Sequence, residues 1–250
     1  MNFTKGSIVL VMFATLIGAA PASAATCTNA SVSGTYGIVS SGLDGSLEPA
    51  ASITQITADG AGDATGSATK SLNGTIVTYT VTGTYQVSKN CTGAATWTNQ
   101  DDQVEDDNLI LNNGHKGAFL IQTDSNHVQS SVAVAQGTAT CTDLGVKHTY
   151  SMELTGIVPS IGQVALAGQL VLNGKGSITG SATLSLYGDI VNDVPVTGTY
   201  TINSNCTGTA QFTPQGQAAI NLALIVVDGD KEMLAVETDS GTIVSGTLQE

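Results

Sequence analysis

The chain repeats itself once, and that repeat constrains its fold more than any other feature. Cys27-Thr28-Asn29 returns as Cys141-Thr142-Asp143, and Gly66-Ser67-Ala68-Thr69 as Gly180-Ser181-Ala182-Thr183. Val81-Thr82-Gly83-Thr84-Tyr85 returns as Val196-Thr197-Gly198-Thr199-Tyr200, and Asn90-Cys91-Thr92-Gly93 as Asn205-Cys206-Thr207-Gly208. Thr123-Asp124-Ser125 returns as Thr238-Asp239-Ser240. The offset is 114 residues before the Val81 block and 115 from it onward. One register held over this length predicts two copies of one domain, residues 27–136 and 141–250, with a short linker around Gly137.

Residues 1–24 belong to neither copy. Lys5 supplies a basic start, Ile8 to Ala20 an apolar stretch, and Ala22-Ser23-Ala24 a small-residue cleavage site. This is the pattern of a secretory signal peptide, so the mature chain is expected to be secreted or periplasmic. The apolar stretch is shorter than the roughly 20 residues that cross a bilayer, and no membrane span is expected. The longest compact apolar run further on is Leu222 to Val227.

Export sets the reading of the cysteines. Cys27 to Cys91 and Cys141 to Cys206 have nearly the same spacing. Two copies of one fold should use the same internal bond in an oxidising compartment, which predicts Cys27–Cys91 and Cys141–Cys206.

The residue period is two. From Thr75 to Ser88, Val77, Tyr79, Val81, Gly83, Tyr85 and Val87 alternate with a threonine-rich face. That marks a half-buried strand, and the second copy repeats it around Val194 to Asn203. Asp-Gly and Asn-Gly pairs divide each copy at 44–45, 59–60, 73–74, 113–114, 173–174 and 228–229. Such pairs favour tight turns between antiparallel strands. The expected fold is all-β: about eight strands per copy in an up-and-down, lipocalin- or calycin-like barrel, ahead of a β-sandwich. Leu222 to Val227 is apolar on both faces and is expected where the two copies pack together.

The Cys-Thr start, Gly-Thr-Tyr strand, Asn-Cys-Thr-Gly step, Asp228-Gly229-Asp230-Lys231-Glu232 turn and Thr238-Asp239-Ser240-Gly241-Thr242 end together resemble a group of uncharacterised secreted bacterial tandem-domain proteins. The first copy departs from the pattern, with Asn113-Gly114-His115-Lys116-Gly117 at the turn and Asn126 where Gly241 stands. The resemblance spans the mature chain and implies export and a barrel-like fold. It implies no activity.

Charge narrows the function classes. Twenty acidic residues face seven basic ones, all lysines, for a net charge of −13. Nucleic-acid binding needs the opposite sign. The absence of arginine also argues against a site for anionic substrates.

No catalytic residue stands out and no cofactor is expected. His115, His127 and His148 have Asp230, Thr242 and Gly34 as counterparts, so they read as surface residues of single copies. The chain is expected not to be an enzyme. Asp101, Asp102, Glu105, Asp106 and Asp107 occur in the first copy alone, as a solvated hairpin tip or a weak calcium candidate. Tyr36, Tyr85, Trp97, Tyr150, Tyr200 and Phe212 recur in matched pairs, as core or as pocket walls. The expected function is an exported, non-catalytic structural or interaction protein; its partner is left open, an extracellular protein or a small apolar ligand being the candidates. The alternative is a binding module holding a small apolar ligand inside each barrel.

Overall fold

The computed structural model describes residues 26–45, 47–112, 116–138 and 141–250. The signal-peptide reading, the Asn113-Gly114 turn and His115 lie outside the described residues. The first copy contributes β1 (Ser33–Asp44), β2 (Glu48–Asp59), β3 (Asp63–Leu72), β4 (Thr75–Val87), β5 (Thr92–Asn99), β6 (Val104–Leu111), β7 (Gly117–Gln122) and β8 (Val128–Ala135). The second contributes β9 (Thr149–Val158), β10 (Gly162–Leu172), β11 (Ser177–Leu186), β12 (Asp189–Ile202), β13 (Thr207–Pro214), β14 (Ile220–Val227), β15 (Glu232–Glu237) and β16 (Ile243–Gln249).

Every strand pairs antiparallel with its chain neighbour. β8 returns to β1 and β16 to β9, so each sheet closes into an eight-strand barrel. Among the described residues, closure leaves no unpaired strand edge to template aggregation. The expected up-and-down barrel is therefore the fold, and the sandwich is not.

The repeated motifs mark the places where barrel geometry is tightest. Gly83 lies opposite Trp97, and Gly198 opposite Phe212. A Cβ on Gly83 would come within 2.4 Å of the Trp97 ring, so the strand stays bare where the aromatic lies on it. Asn90 accepts a hydrogen bond from the Thr92 hydroxyl at 2.8 Å, and Asn205 from Thr207 at 2.8 Å. Between them, Cys91 and Cys206 take positive φ values of 66° and 68°. Asn29 accepts from the Val87 amide at 2.7 Å, and Asp143 from Ile202 at 2.7 Å. Those bonds, with the disulfides Cys27–Cys91 and Cys141–Cys206, tie each N-terminal segment across one end of its barrel.

The step in the repeat offset is a β-bulge. Ala68 pairs with Tyr79 and Lys70 with Val77. In the second copy Ala182 pairs with Val194 but Leu184 with Val191, one extra residue on β12. Asp193, in that insertion, has φ of 54°. A bulge bends one strand and shifts the count by one without moving the faces beyond it.

The barrels pack side against side. Ile225, Val227, Leu234, Val236 and Ile243 of the second copy bury against Ala51 and Ile53, with Val39 and Val134 alongside. β14 is thus covered on both faces, since Leu222, Leu224 and Val226 point into its own barrel. Gly37 permits the approach: a Cβ there would stand 2.7 Å from Val227 Cγ1 and 2.9 Å from Ile225 Cγ2. Polar contacts frame this core. Gln136 Nε2 donates to Val226 O at 3.1 Å, Gln55 Nε2 to Asn205 O at 2.6 Å, and the Gly241 amide to Gly74 O at 2.8 Å.

Candidate functional site

The two barrels share strands but not interiors. Each has one end closed by the N-terminal segment and disulfide. The other end is framed by the β1–β2, β3–β4, β5–β6 and β7–β8 turns, or their equivalents. Near that second end, inward positions differ systematically. Ser40, Ser52, Lys70 and Tyr79 of the first copy correspond to Leu154, Leu166, Leu184 and Val194. Glu105, Asp107 and Gln129 correspond to Ile220, Leu222 and Val244. The second interior is a continuous apolar core around Leu154, Leu166, Leu184, Phe212, Leu222 and Val244.

The first interior holds a cavity lined by Ser40, Ser52, Thr54, Lys70, Tyr79, Trp97, Glu105, Asp107, Gln122, Gln129 and Ser131, with Ile38, Ile56, Val81 and Leu120 below. Its volume is about 60 Å³, room for a few waters. Lys70, Tyr79 and Glu105 also line a wider bowl of about 660 Å³ at the rim, bounded by Asn99, Gln103 and His127.

A chain of charges spans this mouth. His127 Nε2 lies 2.7 Å from Asp44 Oδ1, Asp44 pairs with Lys70, and Lys70 Nζ lies 3.4 Å from Glu105 Oε1. The other His127 ring nitrogen, Nδ1, is 3.0 Å from Ser125 O, so both nitrogens face oxygen. Burial alone would lower the Lys70 pKa; Glu105, Tyr79 and Asp44 outweigh it and hold the ammonium above its ordinary value. Burial pushes the Tyr79 phenol up to about 12. Deeper in, Trp97 Nε1 donates to Asp107 Oδ2 at 3.0 Å. Burial raises Asp107 to about 6 against that hydrogen bond, and Glu105, Asp124 and Asp106 push the same way. Gln129 Nε2 is buried in this wall with no hydrogen-bond partner among the described residues.

The residues singled out from sequence are distributed as follows. Asp101 and Asp102 sit in the β5–β6 turn, Asp106 faces outward to the Thr96 hydroxyl at 2.6 Å, and Glu105 and Asp107 face inward. Strand alternation splits the acidic cluster between two faces. Among the described residues no group of three His, Cys, Asp or Glu side chains is placed to hold a metal, so the calcium candidate is not assembled. The solvated-tip reading is corrected for Glu105 and Asp107, which belong to the interior. His127 is corrected too: it is a half-buried partner of Asp44. Tyr36, Tyr85, Tyr150, Tyr200 and Phe212 are buried core, and Trp97 alone of the six lines the cavity. Tyr85 and Tyr200 brace matching loops, donating to Val32 O at 2.7 Å and Asp143 O at 2.9 Å. The second interior is filled with side chains, while the first is lined by polar groups near the mouth and by Ile38, Ile56, Val81 and Leu120 below.

Sequence reading missed Asp44, Lys70, Tyr79, Gln129 and the role of His127. The signal was present in the repeat itself, as inward positions that change from polar to apolar between copies.

The second barrel has its own buried carboxyl. Glu237, the counterpart of Gln122, is raised to about 7 by burial and by Asp239, against a hydrogen bond from Thr242.

No family model and no curated protein matches the sequence. Two solved structures align over most of the chain. Kievitone hydratase from Nectria haematococca is 9% identical, with 88% of this chain and 89% of that one covered and a TM-score of 0.33. The isotype 1 transferrin binding protein B from serogroup B Neisseria meningitidis is 8% identical, with 87% and 75% covered and a TM-score of 0.36. Superpositions this loose carry no argument about function. The two disulfides are of the kind that persists in an oxidising, extracellular or periplasmic setting. Among the described residues no helix is long and apolar enough to cross a membrane.

Proposed function

We propose that this is an exported, non-catalytic binding protein whose first barrel takes a small polar ligand and whose second barrel is a filled brace. The observation that carries the reading is the contrast at matched inward positions: Lys70, Glu105 and Asp107 where the second copy has Leu184, Ile220 and Leu222. Buried charges and amides destabilise a barrel that apolar residues can fill, as the second copy demonstrates. Holding a linked set of them in the first copy, where the second keeps Glu237, favours a role in recognition.

The chemistry of the walls selects the ligand class. Asp44, Glu105 and Asp107 outnumber Lys70, which disfavours anions and favours neutral or cationic groups. Hydroxyls and amides from Ser40, Ser52, Thr54, Gln129 and Ser131 offer both donors and acceptors. A small hydroxylated or amine-bearing molecule fits, with its bulk in the rim bowl. Lys70 argues against covalent catalysis. A nucleophilic lysine needs a lowered pKa, and this one is raised. The likeness to secreted tandem-domain proteins supports export.

A thermal-shift screen of the mature chain against small polyols, monosaccharides, amino acids and amines tests the reading. A stabilising hit that disappears on Glu105→Ile with Asp107→Leu supports it. Hits confined to long-chain apolar molecules would sink it.

A further inference from the structure

The face that glues the second barrel to the first has an uncovered twin on the first barrel. In the second copy, Ile225, Leu234, Val236 and Ile243 are buried between the barrels. Their counterparts are Ile110, Phe119, Ile121 and Val128, all exposed; Phe119 is 60% exposed where Leu234 is 0%. The ladders superpose: Ile110 pairs with Phe119 and Phe119 with Val132, as Ile225 pairs with Leu234 and Leu234 with Thr247. Four large apolar side chains adjoining on one sheet face are more than the scattered surface residues of a monomer.

We propose that this β6–β8 face is a homodimer interface, covered by the same face of a second copy of the chain. The inter-barrel contact shows what such a face does in this domain: it packs on the sheet of a sister barrel. The mode it uses within the chain cannot be repeated between chains. The receiving surface in the first copy is Gly37, Val39 and Ile53; the equivalent positions in the second copy are Ser151, Glu153 and Ala167, all solvent-exposed. Ser151 puts a Cβ where Gly37 has no room for one, and Glu153 would bury an unpaired carboxylate. Head-to-tail chaining is blocked at both positions. A two-fold pairing of the apolar face with itself is self-complementary and closes at two chains.

Sedimentation velocity of the mature chain over roughly 2 to 200 µM tests this by mass action. The expected result is a reversible monomer–dimer equilibrium. Phe119→Ser with Ile121→Ser should leave a folded monomer throughout, melting where the parent melts at dilutions at which the parent is itself monomeric. Phe119→Cys, close to its own symmetry mate, should cross-link as a dimer under mild oxidation. A monomer at every concentration overturns the proposal. So does a dimer that survives the double substitution, or a mass that keeps growing past two chains. Ligand binding inside the barrel is indifferent to each of these outcomes.

Discussion

The Trp97 indole donates to the Asp107 carboxylate at 3.0 Å, from β5 to β6, inside the first barrel. The corresponding pair in the second barrel is Phe212 and Leu222, packed in an apolar core. The same ladder register carries a polar pair in one copy and an apolar pair in the other. The second copy is therefore an internal control for the first.

Replacing the buried network by its second-copy counterparts, Asp44→Val, Lys70→Leu, Glu105→Ile and Asp107→Leu together, should stabilise the first barrel. Exchanging a buried ionic network for packed apolar groups typically gains about 1–4 kcal/mol. Lys70→Leu alone should do the reverse, because it leaves the buried Asp44 with His127 as its one charged partner and frees Glu105 to solvent. Urea midpoints of the two variants should fall on opposite sides of the parent.

Stability should fall as pH rises from about 4 to about 7. Glu237 is raised to about 7 and Asp107 to about 6, so the folded state holds protons that the unfolded chain has released. A carboxyl of this kind stabilises fully below its unfolded pKa and loses that contribution as pH climbs to the folded value. For Glu237 the loss is on the order of 3 kcal/mol. Glu237→Gln should flatten the upper part of the slope, and Asp107→Asn the lower part, in melting curves taken across that range.

Gly37→Leu should loosen the barrels from one another without unfolding either. Its side chain would collide with Val227, Ile225 and Leu234. Overpacking of this kind costs about 1–3 kcal/mol. Calorimetry should show a single transition of the parent chain broadening or dividing in two.

Converting Cys27 and Cys91 to alanine should lower stability by about 4 kcal/mol, the chain-entropy value for a loop of this length. The loss should fall on the first barrel, since the Cys141–Cys206 bond closes a separate loop and stays intact.

The fold was legible because it is written in short periods. Alternation from Thr75 to Val87, turn pairs such as Asn73-Gly74, and the repeat register together specify a meander, and equal cysteine spacing specifies the disulfides. The doubly apolar β14 was legible as a contact between copies for the same reason. The cavity was less so. Asp101 to Asp107 is conspicuous as a charge run, but composition does not say that Glu105 and Asp107 face inward while Asp106 faces out; the register of β6 decides that. Lys70 and Asp44 are far apart in sequence and meet only because β3 and β1 both flank β2. His127 looks like a lone surface histidine in the sequence, and only the β7–β8 turn carries it over Asp44.

Native mass spectrometry of the protein, recovered gently from the cells that make it, tests the central claim most directly. The account predicts one small bound mass per chain, polar and uncharged or cationic. That mass should be lost in the four-site variant (Asp44→Val, Lys70→Leu, Glu105→Ile, Asp107→Leu) but retained in the Phe119→Ser, Ile121→Ser double variant. An apolar bound mass, two ligands per chain, or a mass that persists in the four-site variant would contradict it.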